Sequence, residues 1–527
     1  MSYVSFGFLL FTSVCFGLYY ILPQKFRRYV LLAASVCFYV IFSKYLIAAS
    51  ALIALFVYLI SNKIGKIDEK FSLKKKELSK EERKEEKKRI KSVKKKLVAA
   101  ECAAAFLVLA VFKYAGFFTG LVNRGISLFS SFEIPIVTLM MPVGISYYTL
   151  SIVSYAVDVY RGTIKPEKNF ASLYLFTIYF PHIIEGPIGN YQSFSEQVKN
   201  PQPLTYEKFM RAFELILLGL VKKMIIADRA GIICSSYFDN YSDYGTAVTV
   251  LNMILYTVNI YFDFSGCMDI VCGVSGLFGI QLPENFRQPF FSKSIQEFWR
   301  RWHITLGDWI KKYIFYPVSL SKLNQKIMSV CGEKIKNVYY KTTLPMMFAL
   351  LFVWLFNGIW HGASGKYILY GIYYYIIISL GLLLEPVFEN LCKKLSINRE
   401  SKPYKAMQIA RTCVLVIIGL TLFRADSFTD FIKILGRLFA FGNPVADIIK
   451  FYGNISLSLL DFPVIVLFSA AMLYISVKKE NGCDLRAGLE KKQKLRWALC
   501  TAAVICILLL GVYGTMYTEQ PFVYGQF

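Results

Sequence analysis

The sequence predicts an all-α protein that crosses a membrane many times. Apolar residues make up 56% of the 527 residues and aromatic residues 16%, whereas charged residues supply only 18%. A typical soluble domain has about a quarter of its residues charged, and the mean hydropathy here is +0.46. Many apolar stretches approach the roughly 20 residues that a helix needs to cross a bilayer. Because lipid offers no partner to a bare peptide group, and the stretches lack the alternation of barrel strands, they must be helices.

About eleven stretches are long and apolar enough to be membrane spans. They cover residues 4–22, 28–42, 45–61, 97–121, 206–227, 246–262, 342–360, 366–385, 406–424, 461–477 and 495–516. Shorter pieces at 135–159, 171–184 and 267–281 are broken by Gly and Pro, and we expect them to be re-entrant or buried. Residues 426–437 alternate apolar and polar side chains at helical spacing, which predicts an interfacial helix. We expect the whole chain, residues 1–527, to form one membrane-embedded domain.

The basic residues of the loops predict the orientation of the chain. Lys25, Arg27 and Arg28 follow the first span, whereas only Lys44 separates the second from the third. The third span leads into residues 62–96, the most basic stretch of the sequence. Since cytoplasmic loops accumulate Lys and Arg, the N-terminus is expected outside and residues 62–96 in the cytoplasm. The same rule explains the net charge of +25 without any nucleic acid as a partner.

Residues 62–96 are rich in Lys and Glu, which predicts a solvated helix or helical hairpin between the third and fourth spans. Pairs of opposite charge stand at helical distance there. Two interpretations stay open for this segment. It is a charged loop that obeys the positive-inside rule, or it is a docking surface for anionic lipid or for an acidic protein such as an acyl carrier.

Only three histidines occur in the sequence, and two of them are candidate catalytic residues. His303 and His361 lie in dense aromatic settings beside long apolar runs. Imidazole suits proton transfer near neutral pH, and a histidine at membrane depth is costly unless it has a function. His182 lies between Pro181 and Gly186 in a broken segment, and we expect it to be structural.

His361 ends an almost purely apolar run, residues 344–360. Gly358 and Gly362 flank it and leave room for a ligand or for another helix. Asn357 stands one turn back on the same helix face, so its amide is placed to fix the tautomer of the imidazole. Burial should keep the ring neutral, which is the form that a general base needs.

Residues 292–303 are typical of a helix start, with Ser294 and Glu297 as a capping box. His303 is then expected just inside this helix, either as a second polar group of the reaction centre or as a structural imidazole. Asp263 follows a long apolar run, and we expect it to be buried. It would brace an imidazole or an arginine, or cap a helix.

Several other chemistries lack a basis in the sequence. The twelve cysteines are scattered, and no Cys or His spacing is typical of a metal site. Neither a serine elbow nor a phosphate-binding loop is present. No metal and no tightly bound cofactor is therefore expected. No internal repeat is visible, which argues against a secondary transporter.

A series of short motifs follows the chain in a distinctive order. Any one of them is weak, but the order is specific: Pro142-Val-Gly-Ile-Ser-Tyr-Tyr-Thr149, Asp158-Val-Tyr-Arg-Gly162, Phe262-Asp-Phe-Ser-Gly266, Pro283-Glu-Asn-Phe286, Phe298-Trp-Arg-Arg-Trp-His303, Gly358-Ile-Trp-His-Gly-Ala363 and Leu422-Phe-Arg-Ala425. With these motifs the chain resembles the membrane-bound O-acyltransferase (MBOAT) family, in its bacterial alginate O-acetylase-like branch. The D-alanylation acyltransferase of teichoic acids, in the same superfamily, is similar in Phe298-Trp-Arg-Arg-Trp-His303 and in Phe180-Pro with Gly186-Pro-Ile188, but it is usually shorter.

The resemblance implies that His361 is the essential histidine of the family and His303 its second signature histidine. It also implies a funnel-shaped helical scaffold with a tunnel that joins the two membrane faces. Relatives usually have a small residue at position 357, so the resemblance does not support the role given to the asparagine. Five further residues are candidates for contact with substrate or tunnel: Trp302, Trp360, Asp263, Asn285 and Asn357.

The activity implied by the resemblance is transfer of an acyl group, in the simplest case acetyl, to hydroxyls of an extracellular cell-envelope polysaccharide. The donor would be a thioester on the cytoplasmic side, either acetyl-CoA or the phosphopantetheine of an acyl carrier protein. Transfer would be direct or through a partner acyltransferase, from a multi-pass protein in the lipid of the plasma membrane. Two alternatives stay open: D-alanyl transfer to teichoic acid from a carrier protein, and transport of a lipid-linked glycan.

Overall fold

The computed structural model describes residues 2–136, 139–455, 460–513 and Phe522. Within these ranges the regular secondary structure is helical, apart from an isolated bridge between Phe286 and Trp302. The all-α prediction is therefore confirmed. Two stretches of predicted elements, residues 137–138 and 514–516, lie outside the described residues.

The described helices, in chain order, are α1 (Phe6–Ile21), α2 (Arg27–Ser43), α3 (Ile47–Lys74), α4 (Lys80–Ile126), α5 (Ile145–Arg161), α6 (Phe170–Ile178), α7 (Tyr191–Lys199), α8 (Tyr206–Leu220), α9 (Asp228–Asp239), α10 (Thr246–Leu277), α11 (Ile295–Arg301), α12 (Ile304–Ile310), α13 (Tyr316–Ser319), α14 (Lys322–Lys334), α15 (Val338–His361), α16 (Gly365–Lys394), α17 (Lys402–Arg424), α18 (Phe428–Arg437), α19 (Pro444–Gly453), α20 (Asp461–Glu480), α21 (Leu485–Glu490) and α22 (Gln493–Leu510). Turns of π-helix cover Val221–Ala227 and Lys311–Phe315.

Eight helical segments of the described chain are long and apolar enough to cross a membrane: Gln24–Lys74, Lys80–Ile126, Thr246–Leu277, Val338–His361, Gly365–Lys394, Lys402–Arg424, Asp461–Glu480 and Gln493–Leu510. The first of these contains two predicted spans, α2 and α3, joined by the short turn Lys44–Leu46. The predicted first span is the shorter apolar helix α1. The chain is therefore a multi-pass membrane protein.

One predicted break between helices is wrong. Residues 246–262 and 267–281 were expected as separate segments, but most of both belong to the single helix α10. Gly266, which stands between the two predicted segments, lies within it. A Cβ atom at Gly266 would lie 2.9 Å from the carbonyl oxygen of Gly219 in α8. The glycine is thus needed for close packing of two helices rather than for a turn.

The described chain divides into two compact units, and helices α8 and α10 have residues in both. The first unit consists of residues 1–213 and 271–283. Here residues 62–96 are helical, as the distal parts of α3 and α4 with a turn at 75–79 between them. In the same unit, the Tyr19 hydroxyl donates to the Phe278 carbonyl at 3.0 Å, and the hydroxyls of Tyr179 and Ser275 lie 3.1 Å apart.

The second unit consists of residues 214–270 and 284–527, and it contains both candidate catalytic histidines. Its interior holds buried ion pairs around the π-helical turn Val221–Ala227. The Lys223 ammonium lies 2.6 Å from Asp263 and 2.7 Å from Asp228. Arg229 pairs with Asp461 at 2.6 Å. Buried charges require such partners, so these pairs fix how the π-helical turn, α9, α10 and α20 meet.

Candidate functional site

The second unit contains a cavity of about 280 Å³ that both candidate histidines line. Most of the remaining lining is apolar or aromatic. The full set is Trp299, Arg300, Trp302, His303, Leu306, Gly307, Ile310, Lys311, Phe315, Leu350, Val353, Trp354, Asn357 and His361. No acidic residue occurs among these described lining residues. Four sequence candidates, His303, His361, Trp302 and Asn357, thus meet at one cavity.

His361 is the last residue of α15, and aromatic rings surround its side chain, which is 3% exposed. The imidazole centroid lies 4.9 Å from the ring of Trp360, 5.2 Å from that of Phe423 and 5.9 Å from that of Tyr370. The ring is thus held by side chains of α15, α16 and α17. Such packing fixes the direction of the imidazole, as a group that transfers a proton requires.

The two glycines that flank His361 give room to a helix. A Cβ atom at Gly358 would lie 2.4 Å from the carbonyl oxygen of Tyr367, and one at Gly362 would lie 2.4 Å from the Tyr367 ring. Gly371 in α16 is equally close to the Trp354 carbonyl. The sequence left open whether Gly358 and Gly362 make room for a ligand or for another helix. The structure shows that they make room for helix α16. This approach brings Tyr370 against His361.

The expected position of His303 inside a helix is wrong. Helix α11 ends at Arg301, Trp302 is extended, and His303 has φ 48° and ψ 51°, in the left-handed region. Helix α12 starts directly after it. The chain leaves the helix because the Arg287 amide donates to the Arg301 carbonyl at 2.9 Å. This bond belongs to the local pairing that also joins Phe286 and Trp302.

The expected capping box at the start of α11 is formed in part. The Ser294 hydroxyl accepts from the Glu297 amide at 3.1 Å, as predicted. The Glu297 carboxylate, however, accepts from the amide of Lys293 rather than of Ser294. The helix therefore starts where the sequence indicated and ends two residues before the histidine.

Asn285 is the residue that orients His303. Its side-chain oxygen accepts from the Thr305 amide at 3.1 Å and from the Thr305 hydroxyl at 2.9 Å. The same oxygen lies 3.2 Å from Nδ1 of His303. Because an amide oxygen only accepts, Nδ1 must carry the proton, and Nε2 is then the acceptor. Asn285 was expected to contact substrate or tunnel, yet it is not among the residues that line the cavity.

Burial governs the protonation state of His303, which lies outside the candidate spans. The side chain is 3% exposed, and the ring of Phe264 packs against it at 4.8 Å. Loss of solvation lowers its pKa to about 3. The imidazole is therefore neutral at physiological pH.

The two candidate tryptophans have different positions. Trp360 contacts both imidazoles, with ring centroids 5.9 Å from His303 and 4.9 Å from His361. It is not among the residues that line the cavity. Trp302 does line the cavity, and its ring packs against those of Phe286 at 5.1 Å and Phe298 at 5.4 Å.

Asp263 is buried, as predicted, but its partner differs from those expected. It binds the Lys223 ammonium at 2.6 Å rather than an imidazole or an arginine. It is also absent from the described lining of the cavity. Asn357 does line the cavity, and its side-chain oxygen accepts no hydrogen bond within the described chain. Its expected effect on the tautomer of His361 stays a prediction.

Several lining residues were missed in the sequence, although one signal for them was present. Leu350, Val353 and Trp354 stand eleven, eight and seven residues before His361, on the same face of α15 as the candidate Asn357. Of the other lining residues, Trp299 belongs to α11 and Leu306 to α12. Among the described residues there is no group of three His, Cys, Asp or Glu side chains that could hold a metal ion.

Comparisons with known proteins show what this chain is similar to. Residues 94–332 match the model of the MBOAT, membrane-bound O-acyltransferase family. The chain is 28% identical over 434 residues to the probable alginate O-acetylase AlgI of Pseudomonas putida, a match that covers 82% of this chain and 79% of that protein. It is 31% identical over 300 residues to the peptidoglycan O-acetyltransferase of Helicobacter pylori, covering 52% and 53%. It is also 31% identical over 245 residues to the teichoic acid D-alanyltransferase of Bacillus subtilis, covering 45% and 58%.

Proposed function

We propose that this chain is a membrane-bound O-acyltransferase, a family whose model matches residues 94–332, and that it moves an acetyl group from a thioester donor to hydroxyls of a cell-envelope polysaccharide. Its relatives include O-acetyl transferases of alginate and of peptidoglycan. The observation that carries the proposal is the cavity on which His303 and His361 meet. A largely apolar cavity with two buried imidazoles suits proton transfer that is shielded from water.

In the proposed reaction, His361 is the general base. Its imidazole removes the proton from the acceptor hydroxyl as the oxygen attacks the carbonyl carbon of the thioester. A new C–O bond forms, the C–S bond breaks, and the leaving thiolate takes the proton back from the imidazolium. Help from a positioned general base is worth on the order of 10²–10⁴ in rate. Exclusion of water also protects the thioester from hydrolysis.

His303 orients the acceptor in this scheme. With its Nδ1 proton directed at Asn285, 3.2 Å away, its Nε2 accepts a hydrogen bond from a hydroxyl of the acceptor sugar. A neutral ring with this tautomer has no second proton for an oxyanion. We therefore favour the orienting role over stabilisation of negative charge.

The donor is proposed to enter from the cytoplasm with its phosphates near Arg300 and Lys311. Both side chains are exposed and both contribute to the lining of the cavity. Basic side chains form strong charge-assisted hydrogen bonds with phosphate. Acetyl-CoA and the phosphopantetheine of an acyl carrier protein both carry phosphate next to the thiol arm. The N-terminus lies outside in this scheme, and the acetyl group reaches an extracellular glycan directly or through a partner acyltransferase of the plasma membrane.

The second candidate, D-alanyl transfer, has support from the teichoic acid D-alanyltransferase relatives. The charge of the cavity favours acetyl instead. A D-alanyl group carries an ammonium, and the described lining offers it two cations and no carboxylate. A buried charge without a partner costs several kcal/mol. An uncharged acetyl group avoids this cost.

The proposed function is tested by the esters of the cell envelope. Polysaccharide from source cells with the chain, without it, and with His361→Ala would be treated with alkali, and the released acids measured. We expect ester-bound acetate to fall strongly in both altered strains, and mass spectrometry of the intact polymer would identify the esterified sugar. Loss of D-alanine instead would support the second candidate. Unchanged esters together with lost export of the polymer would contradict acyl transfer and indicate a glycan-lipid transporter.

A further inference from the structure

Residues 62–96 form a charged hairpin that continues two apolar helices. Helix α3 is unbroken from Ile47 to Lys74, and α4 from Lys80 to Ile126. Their apolar parts, residues 45–61 and 97–121, are predicted spans. The charged parts continue along the same helix axes, so the hairpin projects away from the apolar region instead of lying along it.

The base of the charged hairpin is fixed to the first unit. The Ser61 hydroxyl donates to the buried Glu101 carboxylate at 2.8 Å, and Lys94 pairs with Asp68 at 2.6 Å. A Cβ atom at Gly65 would lie 2.5 Å from the ring of Pro166, so the hairpin packs closely on that segment. These contacts hold the two helices together at the base.

The distal turn has a defined structure as well. Ser79 and Glu82 form a complete capping box, with bonds of 3.3 Å and 2.8 Å between side chain and backbone. The turn at 75–79 is thus built to start α4. A hairpin with a fixed base and a capped turn presents its end in one orientation.

The end of α3 forms a basic tip, defined here as Lys70, Leu73, Lys74, Lys75 and Lys76. Residues 70–76 contain four lysines and no acidic residue. All five side chains of the basic tip are exposed, and Leu73 is 76% exposed. Lys70, Leu73 and Lys74 share one helix face. An exposed leucine among lysines suits contact with an acidic protein that has an apolar spot.

The end of the basic tip, at Lys74, Lys75 and Lys76, is too far from the bilayer to interact with lipid headgroups. Thirteen residues separate Lys74 from Ser61, the last residue of the apolar stretch, which corresponds to about 20 Å at 1.5 Å per residue. Headgroups extend only about 5–8 Å beyond the hydrocarbon core. The potential of anionic lipid falls off within a Debye length of about 8–10 Å. A soluble partner therefore fits the basic tip better than a membrane does.

We propose that the basic tip docks an acidic soluble carrier protein that delivers the acyl thioester. This inference rests on the proposed function, because only a thioester-dependent reaction gives such a carrier a reason to bind. It assigns the donor to a protein-bound phosphopantetheine instead of free acetyl-CoA. The apolar contact is made by Leu73, and the four lysines attract the carrier and set its orientation.

The test measures the binding of purified holo-acyl carrier protein to the full chain in zwitterionic nanodiscs. The first variant replaces Lys70, Lys74, Lys75 and Lys76 by Gln. The matched control replaces four other exposed lysines by Gln, which changes the net charge equally: Lys479, Lys491, Lys492 and Lys494. We expect Kd for the carrier to rise at least about tenfold in the tip variant, with a weaker salt dependence, and to change less than about twofold in the control. Leu73→Ser should weaken binding without changing the salt dependence.

Unchanged carrier binding in the tip variant would overturn the proposal. The proposal would also be overturned if the only effect of the tip variant were lost binding of phosphatidylglycerol vesicles to the chain. Transfer assays separate this inference from the proposed function. If the inference holds, the tip variant loses transfer from acetyl-carrier but keeps whatever transfer acetyl-CoA supports. If the wild type transfers from neither donor, the proposed function fails, whereas the Kd values still decide whether the basic tip binds the carrier.

Discussion

The left-handed backbone of His303 is the clearest sign of a specialised residue in this chain. Such a conformation in a residue other than glycine costs of order 1–3 kcal/mol and persists only where the surroundings enforce it. Asn285 and Thr305 do so here, through the 3.1 Å and 2.9 Å bonds that hold the turn. The strain is therefore maintained by the same amide that orients the imidazole.

Replacement of Asn285 by Asp should make transfer sensitive to acid. A carboxylate beside Nδ1 favours the imidazolium, so it raises the pKa of His303 from about 3 toward its ordinary value of about 6.5. Protonated His303 cannot accept from the acceptor hydroxyl. The pH–rate profile of the variant should thus lose activity as pH falls from about 7 to 5, whereas the limb due to His303 in the wild type lies lower.

The lowered pKa of His303 in the wild type also makes the stability of the fold depend on pH. The pKa of His303 is lower in the folded than in the unfolded chain. The folded state is therefore most stable at a pH above the pKa of the histidine in the unfolded chain. The free energy of unfolding should fall as pH drops from about 6.5 toward 3.

A pH–rate profile of Asn285→Asp that coincides with that of the wild type would contradict the contact between residues 285 and 303.

At the scale of elements, buried ion pairs hold the helices around the π-helical turn. Lys223 lies between Asp263 and Asp228, with all three side chains almost fully buried. The lysine is the cation of a cluster with two carboxylates. Its removal leaves two buried negative charges, which is the costly way to break such a cluster.

Lys223→Met should therefore destabilise the second unit by about 3–5 kcal/mol. Chemical denaturation in detergent, followed by tryptophan fluorescence, would measure it. The matched control is Lys393→Met, which breaks the exposed pair with Glu389 at 2.7 Å and should leave the unfolding midpoint unchanged. Equal midpoints for the two variants would show that the buried cluster does not determine how these helices pack.

Helices could be predicted from the sequence far better than their interruptions. Long apolar runs indicate spans because lipid leaves the backbone no other choice. Helices α15 and α17 begin and end within about four residues of the predicted limits, whereas α16 continues nine residues past its predicted end at 385. The end of α11 at Arg301 could not be predicted, because it depends on pairing with residues 285–287, distant in sequence. The continuity of α10 through Gly266 depends likewise on the approach of Gly219.

For the whole molecule, the order of motifs predicted a family whose model matches residues 94–332 of the chain. The histidines could be chosen from the sequence because so few occur and each stands in an aromatic motif. The partners of Asp263 and Asn285 could not be predicted from the sequence. Asp263 binds Lys223 and Asn285 binds His303, both through long-range packing that composition and spacing do not encode. The cavity likewise combines residues of α11, α12 and α15.

The central claim is that the imidazole of His361 acts as the base of acyl transfer in this cavity. Its most direct test is the turnover of an acetyl thioester by the purified chain in nanodiscs, for the wild type, His361→Ala and His182→Ala. The control also removes a buried imidazole, but His182 belongs to the first unit and does not line the cavity. We predict that His361→Ala lowers turnover by about 10²–10⁴-fold while the protein stays folded, and that His182→Ala stays within a few-fold of wild type. Near-normal turnover by a folded His361→Ala variant would contradict the account.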